Sequence, residues 1–215
     1  MRSLKKKIYF FVLLIFINNI FYTYSESEIN NKILVKVGNE IITSHDLQNE
    51  IITNLIISKK EVNQDNINLV KDLSVKNLIN KKIKKIEIKK YEVKDYSKKE
   101  LNDYLTKIAS ERFNTNIAGL KNIFNENAIS FDAFSEAFET ELLWNTLIFS
   151  LYKNQTNINI VQVENELSKF KEIKNTEEIA KLKQEMLNQR KQEKLNLFSR
   201  SHFSNLENTI QIQFL

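Results

Sequence analysis

The stretch ILVKVGNEIITSHDLQNEI, residues 33–51, changes its periodicity halfway along. Apolar and polar residues alternate over Ile33–Val37, so its odd-numbered residues share one face of a predicted strand. The following pair, Gly38-Asn39, tolerates the positive φ that a tight hairpin turn requires. Ile41-Ile42 is therefore predicted to return as a short partner strand, after which the apolar spacing becomes helical.

The helix that follows carries its own start signal. Thr43 or Ser44 is predicted to cap it, and Asp46, three residues after Thr43, matches the pattern of a capping box. The helix is predicted to end near Ile57. Its buried face is predicted to contain Leu47, Ile51 and Leu55.

The last eight residues of the chain, NTIQIQFL, also have strand periodicity. Ile210, Ile212 and Phe214 alternate with polar residues. A strand left alone at a terminus is an unpaired edge and an aggregation hazard. The available partner is Ile33–Val37, so the two ends of the mature chain are predicted to pair, which explains why a strand opens a helical chain.

Helices are predicted between these two strands. The chain contains no proline and only two glycines, so little interrupts a long helix. Apolar spacing and capping patterns place helices at about 65–91, 97–113, 117–126, 131–153 and 176–206, with a short helix after residue 161. The predicted fold class is mainly α, a multi-helix core with a small β element that pairs the N-terminal and C-terminal strands.

Composition excludes several kinds of chemistry. The 215 residues include no cysteine and two histidines, so there is no thiolate metal site or thiol nucleophile, and zinc sites and histidine-based triads are disfavoured. Gly38 and Gly119 are too far apart for a phosphate-binding loop. We therefore predict no metal, cofactor, nucleotide or catalytic residue.

Residues 1–25, MRSLKKKIYFFVLLIFINNIFYTYS, have the pattern of an export signal. Four basic residues precede a continuous apolar run over Ile8–Phe16, and Thr23 and Ser25 supply small residues before a possible cleavage site. Asn18 interrupts the run early, whereas a membrane-spanning helix needs ~20 predominantly apolar residues. We predict a cleaved signal peptide and a periplasmic protein. The alternative is that the segment is retained as an anchor in the inner membrane. Only in that case do we expect the protein to contact a membrane.

The same segment changes the interpretation of the net charge. The whole chain carries +5, but four cations and no anions lie in residues 1–25, so the mature chain from Glu26 carries +1. A basic protein often binds nucleic acid or an anionic surface. After processing this chain is close to neutral, and we predict no nucleic acid partner.

The helix predicted at 131–153 is rich in aromatic residues. An aromatic stripe at helical spacing is more often core than binding site, but a surplus of such rings also suits a surface that binds an apolar partner. The candidate binding residues are Phe131, Phe134, Phe138, Trp144, Phe149 and Tyr152.

Charged residues of the predicted helices are interpreted as solvated. This concerns five lysines of the second helix, Lys76, Lys81, Lys84, Lys85 and Lys89. It also concerns three glutamates of the aromatic helix, Glu136, Glu139 and Glu141, which could otherwise pair for acid–base chemistry. His202, next to Phe203, is interpreted as a packing residue.

Taken in order along the chain, these motifs resemble the SurA-type periplasmic chaperones, the parvulin-type foldase relatives. In that family a segment of the form VaxVNxxxIxxSDL opens the helical domain, and residues 33–47 are similar to it. Residues 75–88, 120–141 and 181–215 are similar to the family's later helices and terminal helix-plus-strand. The resemblance covers nearly all of the mature chain and implies a SurA-like chaperone core.

The chain departs from this family in one respect. SurA-type proteins carry one or two parvulin prolyl isomerase domains before the terminal helix, but here only residues 161–175 lie at that place. An independent domain needs ~50 residues or more. The predicted organisation is a signal peptide (1–25), a helical chaperone domain (26–160), a short connector (161–175) and a C-terminal helix and strand (176–215), without an enzyme domain.

The resemblance implies an ATP-independent holdase that binds unfolded outer-membrane β-barrel proteins in transit through the periplasm. The alternative is a non-catalytic scaffold or assembly factor that binds one dedicated folded partner in the envelope. A third hypothesis, a degenerate isomerase, is disfavoured by the missing domain. The partners expected for the main hypothesis are unfolded polypeptides, the clients of the chaperone. The six aromatic residues of the 131–153 helix are then the candidate client-binding residues.

Overall fold

The structure, a computed structural model, describes residues 31–168 and 175–215; the predicted signal peptide and part of the predicted connector lie outside them. The described residues from Lys32 onward belong to one compact unit. Its helices are α1 (Ser44–Ile57), α2 (Gln64–Lys90), α3 (Lys98–Phe113), α4 (Ile117–Glu126), α5 (Phe131–Tyr152), α6 (Ile160–Ser168) and α7 (Thr176–Thr209). Its strands are β1 (Ile33–Val37), β2 (Glu40–Thr43) and β3 (Ile212–Phe214). The predicted mainly-α fold class is confirmed.

The strands form an antiparallel sheet in the order β2-β1-β3, so the predicted pairing of the chain ends is confirmed. Val35 lies opposite Phe214, and Val37 lies opposite Ile212. In the β1–β2 turn, Gly38 has a φ of +55°, which glycine adopts without the steric cost of a side chain. The sheet therefore joins the first and last described elements of the unit.

Side-chain caps fix where the helices begin. The predicted capping box is present, since the Thr43 side chain accepts from the Asp46 N–H and the Asp46 carboxylate accepts from the Thr43 N–H. Asn175 and Glu178 form a second capping box at the start of α7. Single side-chain caps open α2 to α5, from Asn63, Ser97, Asn116 and Ser130 respectively.

Buried apolar residues form three clusters in the described part of the chain. The sheet core packs the sheet against α1 and α2 and contains Val35, Val37, Ile42, Leu47, Ile51, Leu55, Leu78 and Ile83. The aromatic core joins α3, α4 and the start of α5 and contains Leu105, Ala109, Leu120, Phe124, Ile129, Phe131 and Phe134. The α7 junction joins α2 and α5, with α7 packed against it, and contains Ile88, Trp144, Leu147 and Ile148.

One residue of β1 lies on a different face from the prediction. The alternation predicts that Ile33 shares a face with Val35 and Val37, but those two residues are buried and Ile33 is exposed. The register of β1 against β2 shifts between Ile33 and Val35. Such a bulge disturbs the alternation of faces, so the strict alternation holds only from Val35 onward.

Candidate functional site

The aromatic candidates of α5 do not form one surface. Phe131 and Phe134 are buried in the aromatic core around Phe124, with ring centroids 5.6 and 4.8 Å from the Phe124 ring. Trp144 is buried in the α7 junction. These three side chains fill cores, and a client could reach them only if helices separated.

The other three aromatic candidates lie nearer to solvent. Phe138 is partly buried against Tyr104, with ring centroids 4.5 Å apart. Tyr152 stacks on Phe198 of α7 at 4.8 Å. Phe149 is 53% exposed, and the other five candidates are buried or half-buried. On α5, exposed aromatic surface is therefore concentrated at Phe149.

A small cleft lies beside Phe134 and Phe138, between α1, α2 and α5. Its volume is about 230 Å³, and its walls carry several polar side chains. Of the two amides that line it, Asn54 donates to Ser74 Oγ at 3.0 Å, and the Asn49 amide nitrogen lies 3.0 Å from His45 Nε2. Because these amides already bond to neighbouring side chains, the cleft offers few free groups to a ligand.

A larger depression, which we call the sheet groove, lies between the sheet and α2. Its volume is about 800 Å³, within the usual range of ligand-binding cavities. Its apolar lining consists of Leu34, Val35, Ile42, Leu47, Val75, Ile79, Ile212, Phe214 and Leu215. Its polar lining consists of Lys71, Asp72, Lys76, Asn80 and Glu207.

Exposed apolar residues border the sheet groove. Phe214 is 67% exposed although its partner Val35 is buried, because β3 is an edge strand of the sheet in the described chain. On α2, Leu69 and Leu73 are also largely exposed. Leu69 stands three residues before the groove-lining Asp72, and Leu73 stands three residues before the groove-lining Lys76, so both lie beside the groove-lining side of the helix. Apolar surface therefore continues out of the groove along α2.

Three lysines interpreted as solvated instead face α5. Lys81 and Lys85 pair with Glu136 at 3.6 and 2.6 Å, and Lys84 pairs with Glu141 at 2.6 Å. The lysine side chains are 17 to 28% exposed, so the solvated-face interpretation is wrong for these residues. The pairs connect α2 to α5 beside the packed rings.

This ion-pair cluster shifts two pKa values. Burial lowers the pKa of Lys81 below its ordinary value of 10.5, and the charge of Glu136 opposes this only in part. Burial alone would raise the pKa of Glu136. The hydrogen bond from Lys85 and the charges of Lys85 and Lys81 outweigh burial and lower that pKa below 4.5. Both pKa shifts therefore result from the packing and pairing of these side chains between α2 and α5.

A buried polar cluster fixes α7 against α2 and α5. Glu87 of α2 is 3% exposed and lies 3.2 Å from His202 Nε2, while the Tyr152 hydroxyl lies 2.8 Å from His202 Nδ1. The Trp144 Nε1–H donates to Ser199 Oγ at 2.8 Å. The packing role predicted for His202 fits this position, where every polar side chain has a partner.

Two kinds of feature are absent from residues 31–168 and 175–215. No group of three His, Asp or Glu side chains there is placed to hold a metal ion. None of the helices in these ranges is both long and apolar enough to cross a membrane.

Sequence analysis did not identify the sheet groove. The terminal alternation of Ile212 and Phe214 was the available signal, because it places both side chains on one face. What the pattern lacks is the identity of the surface opposite that face. Val75 and Ile79 of α2 occupy it only in the folded chain.

Similarity to known proteins is found at the level of structure. No protein-family model and no curated protein matches the chain. Among solved structures, the chain is similar to one described with the virulence factor PEB4 and the periplasmic protein Cj1289, two structurally related SurA-like chaperones of Campylobacter jejuni. The identity is 16%, the match covers 86% of this chain and 99% of the other, and the TM-score is 0.41.

Proposed function

We propose that this protein is an ATP-independent chaperone that holds unfolded polypeptides, with the sheet groove as its main client site. The observation that carries the proposal is the groove itself, an apolar depression of about 800 Å³ bordered by exposed Leu69, Leu73 and Phe214. Exposed apolar surface of this kind marks an interaction site in a soluble protein. The resemblance of the sequence to SurA-type chaperones supports the same function.

The exposed side chains suit reversible binding. Burying a fully exposed leucine or phenylalanine side chain is worth ~1.5–3 kcal/mol. Leu69, Leu73 and Phe214 are already partly covered, and association itself costs free energy, so contacts with these three side chains give only weak binding. Weak binding of this kind lowers the free concentration of an unfolded chain by mass action and releases the chain without fuel.

The finer parts of the proposal come from the sequence. The export pattern of residues 1–25 supports action in the periplasm, and the resemblance supports unfolded outer-membrane β-barrel proteins as clients. Alternating apolar residues are also the pattern of a β-barrel strand, and these residues can enter an apolar groove. The proposed activity needs no prolyl isomerisation.

The first test is aggregation of a urea-denatured outer-membrane β-barrel protein after dilution, followed by light scattering without ATP. The chain, expressed with its own N-terminal segment and purified, should suppress scattering at near-equimolar concentration. The double variant Leu73→Ser/Phe214→Ser should lose most of this activity. Leu197→Ser, which removes a side chain that is 60% exposed on α7, is the matched control and should retain it.

Two other results are informative. If no unfolded protein is protected, the chaperone proposal is wrong, and the scaffold that binds a dedicated folded partner becomes the better hypothesis. If Phe149→Ser loses activity while the groove variant keeps it, clients bind the exposed end of α5 that the sequence predicted. Each variant should be checked for an unchanged circular dichroism spectrum.

A further inference from the structure

The outer edge of β3, which pairs with no other strand among the described residues, presents backbone groups beside the sheet groove. Gly38 N–H donates to Gln211 C=O at 2.9 Å, and Leu215 N–H donates to Leu34 C=O at 3.0 Å. In an antiparallel pair, alternate residues direct both backbone groups towards the partner strand. Residues 211, 213 and 215 therefore face β1, and Ile212 and Phe214 direct their N–H and C=O groups away from it.

The side chains of the same two residues point towards α2. Cross-strand partners share a face of the sheet, and the partners of Ile212 and Phe214 are Val37 and Val35, which are buried in the sheet core. Both Ile212 and Phe214 line the groove. A backbone ladder and an apolar depression thus lie side by side at this edge.

We propose that a client segment binds as an additional β-strand along the outer edge of β3, with alternate apolar side chains in the sheet groove. This inference rests on the proposed function and specifies how the client is recognised. Strand addition takes affinity from main-chain hydrogen bonds and selectivity from pockets for alternate side chains. The occupant is an extended, unfolded segment in which apolar and polar residues alternate.

The charges of the groove fit such a segment. Its lining contains two cations, Lys71 and Lys76, and two anions, Asp72 and Glu207. Because these charges balance, the groove has no net attraction for a highly charged chain and does not neutralise its charge. An uncharged apolar strand complements it better than a nucleic acid or a strongly basic or acidic peptide does.

A second copy of this chain is a poorer occupant. A β3–β3 pair would span three residues, about 10 Å, whereas a stable protein interface buries about 800 Å² per partner. A client pairs with the same three residues, but its flanking residues can also contact exposed Leu69 and Leu73, which continue the apolar surface along α2.

Strand geometry makes the proposal testable with backbone methylation. In antiparallel addition, the client residues opposite Ile212 and Phe214 point their side chains into the groove and their N–H groups at β3. In parallel addition, the N–H groups of the intervening residues face β3 instead. The sheet is antiparallel throughout, which favours the first arrangement.

The probe is a fluorescein-labelled nonapeptide in which Val, Phe and Leu alternate with Thr, titrated with the whole chain and followed by anisotropy. Two versions carry N-methyl groups, one on the apolar residues and one on the threonines. Methylation of the apolar set should weaken binding about tenfold or more, because the two client N–H groups that donate to the C=O groups of Ile212 and Phe214 are lost. Methylation of the threonine set should change affinity less than about twofold.

The reverse selectivity would support strand addition in the parallel orientation. Equal loss with both sets, or no loss with either, would overturn the proposal. If aggregation is suppressed but the unmethylated peptide does not bind, strand addition is wrong and the chaperone function stands. If the chain neither binds the peptide nor suppresses aggregation, both are wrong.

Two variants test the protein side. Phe214→Ala removes a side chain from the groove, and Phe214→Pro also removes an N–H that faces away from β1, a position where an edge strand tolerates proline. Peptide binding should be weaker with proline than with alanine by about threefold or more, and equal affinities would contradict the proposal. Sedimentation should show a monomer, and a dimer that Phe214→Pro dissociates would assign the edge to a second copy and overturn the proposal.

Discussion

Helix α5 and the sheet end of the molecule are both apolar, but they use their apolar residues differently. On α5, Phe131, Phe134 and Trp144 are enclosed by neighbouring helices. At the sheet end, Phe214 and Leu73 remain exposed beside an open groove. The difference teaches that the density of aromatic residues in the sequence does not tell whether their side chains are exposed. What decides is whether another element packs over the residues.

The comparison predicts its largest effect in the aromatic core. Phe124→Ala should lower the free energy of unfolding by about 3–5 kcal/mol, because the ring is fully buried among Phe131 and Phe134 and its removal leaves a cavity. Urea denaturation followed by circular dichroism measures it. Leu197→Ala, at an exposed site on α7, is the control and should stay within about 0.5 kcal/mol of the parent chain. If Phe124→Ala lowered the free energy of unfolding no more than Leu197→Ala does, the Phe124 ring would not be packed against α5 in this core.

A second effect sharpens the description of the α7 junction. Ser199→Ala removes the acceptor of the buried Trp144 indole N–H and should cost about 1–3 kcal/mol of stability. Ser201→Ala, two residues along α7 at an exposed position, should change stability by less than about 0.5 kcal/mol. Equal stabilities of the two variants would show that this hydrogen bond does not hold α7 in place.

A third effect concerns pH and the α2–α5 ion pairs. The pKa of Glu136 is lower in the folded chain than its ordinary value of 4.5, so its stabilisation is complete above pH 4.5 and is lost as pH falls through the folded pKa. The contribution should be less than about 1 kcal/mol, since the side chain is about half exposed. Urea midpoints measured between pH 7 and 3 should fall less steeply for Glu136→Gln, and parallel curves would contradict the ion-pair assignment.

The smallest stability effects are expected at the sheet groove. Leu73→Ser and Phe214→Ser should each change the free energy of unfolding by less than about 0.5 kcal/mol, because neither side chain fills a core. Thermal unfolding at matched protein concentration measures the change. A loss above about 2 kcal/mol would mean that these residues are structural, and the groove would then resemble the aromatic core.

Much of the fold could be predicted from local patterns. The alternation in Ile33–Val37 and at the C terminus predicted the β1–β3 pair, and Thr43 with Asp46 predicted the start of α1. These signals are local, since caps and periodicity involve residues a few positions apart. The pairing of the ends followed from the cost of leaving a terminal strand unpaired.

Features made by distant residues were predicted less well. Lys84 pairs with Glu141, 57 residues away, and no local pattern distinguishes it from a solvated lysine. The exposure of Ile33 depends on a bulge in its pairing with β2. The sheet groove requires α2 and β3 to lie opposite each other, which is a property of the tertiary fold.

The most direct test of the central claim is photo-crosslinking to a denatured outer-membrane β-barrel protein. Benzoylphenylalanine would replace Phe214 in the sheet groove in one protein and Phe149 on α5 in another; both positions are exposed aromatic residues. The proposed site predicts strong crosslinks to the client from position 214 and weak crosslinks from position 149. Strong crosslinks from position 149 with none from position 214 would contradict it and place the client on α5.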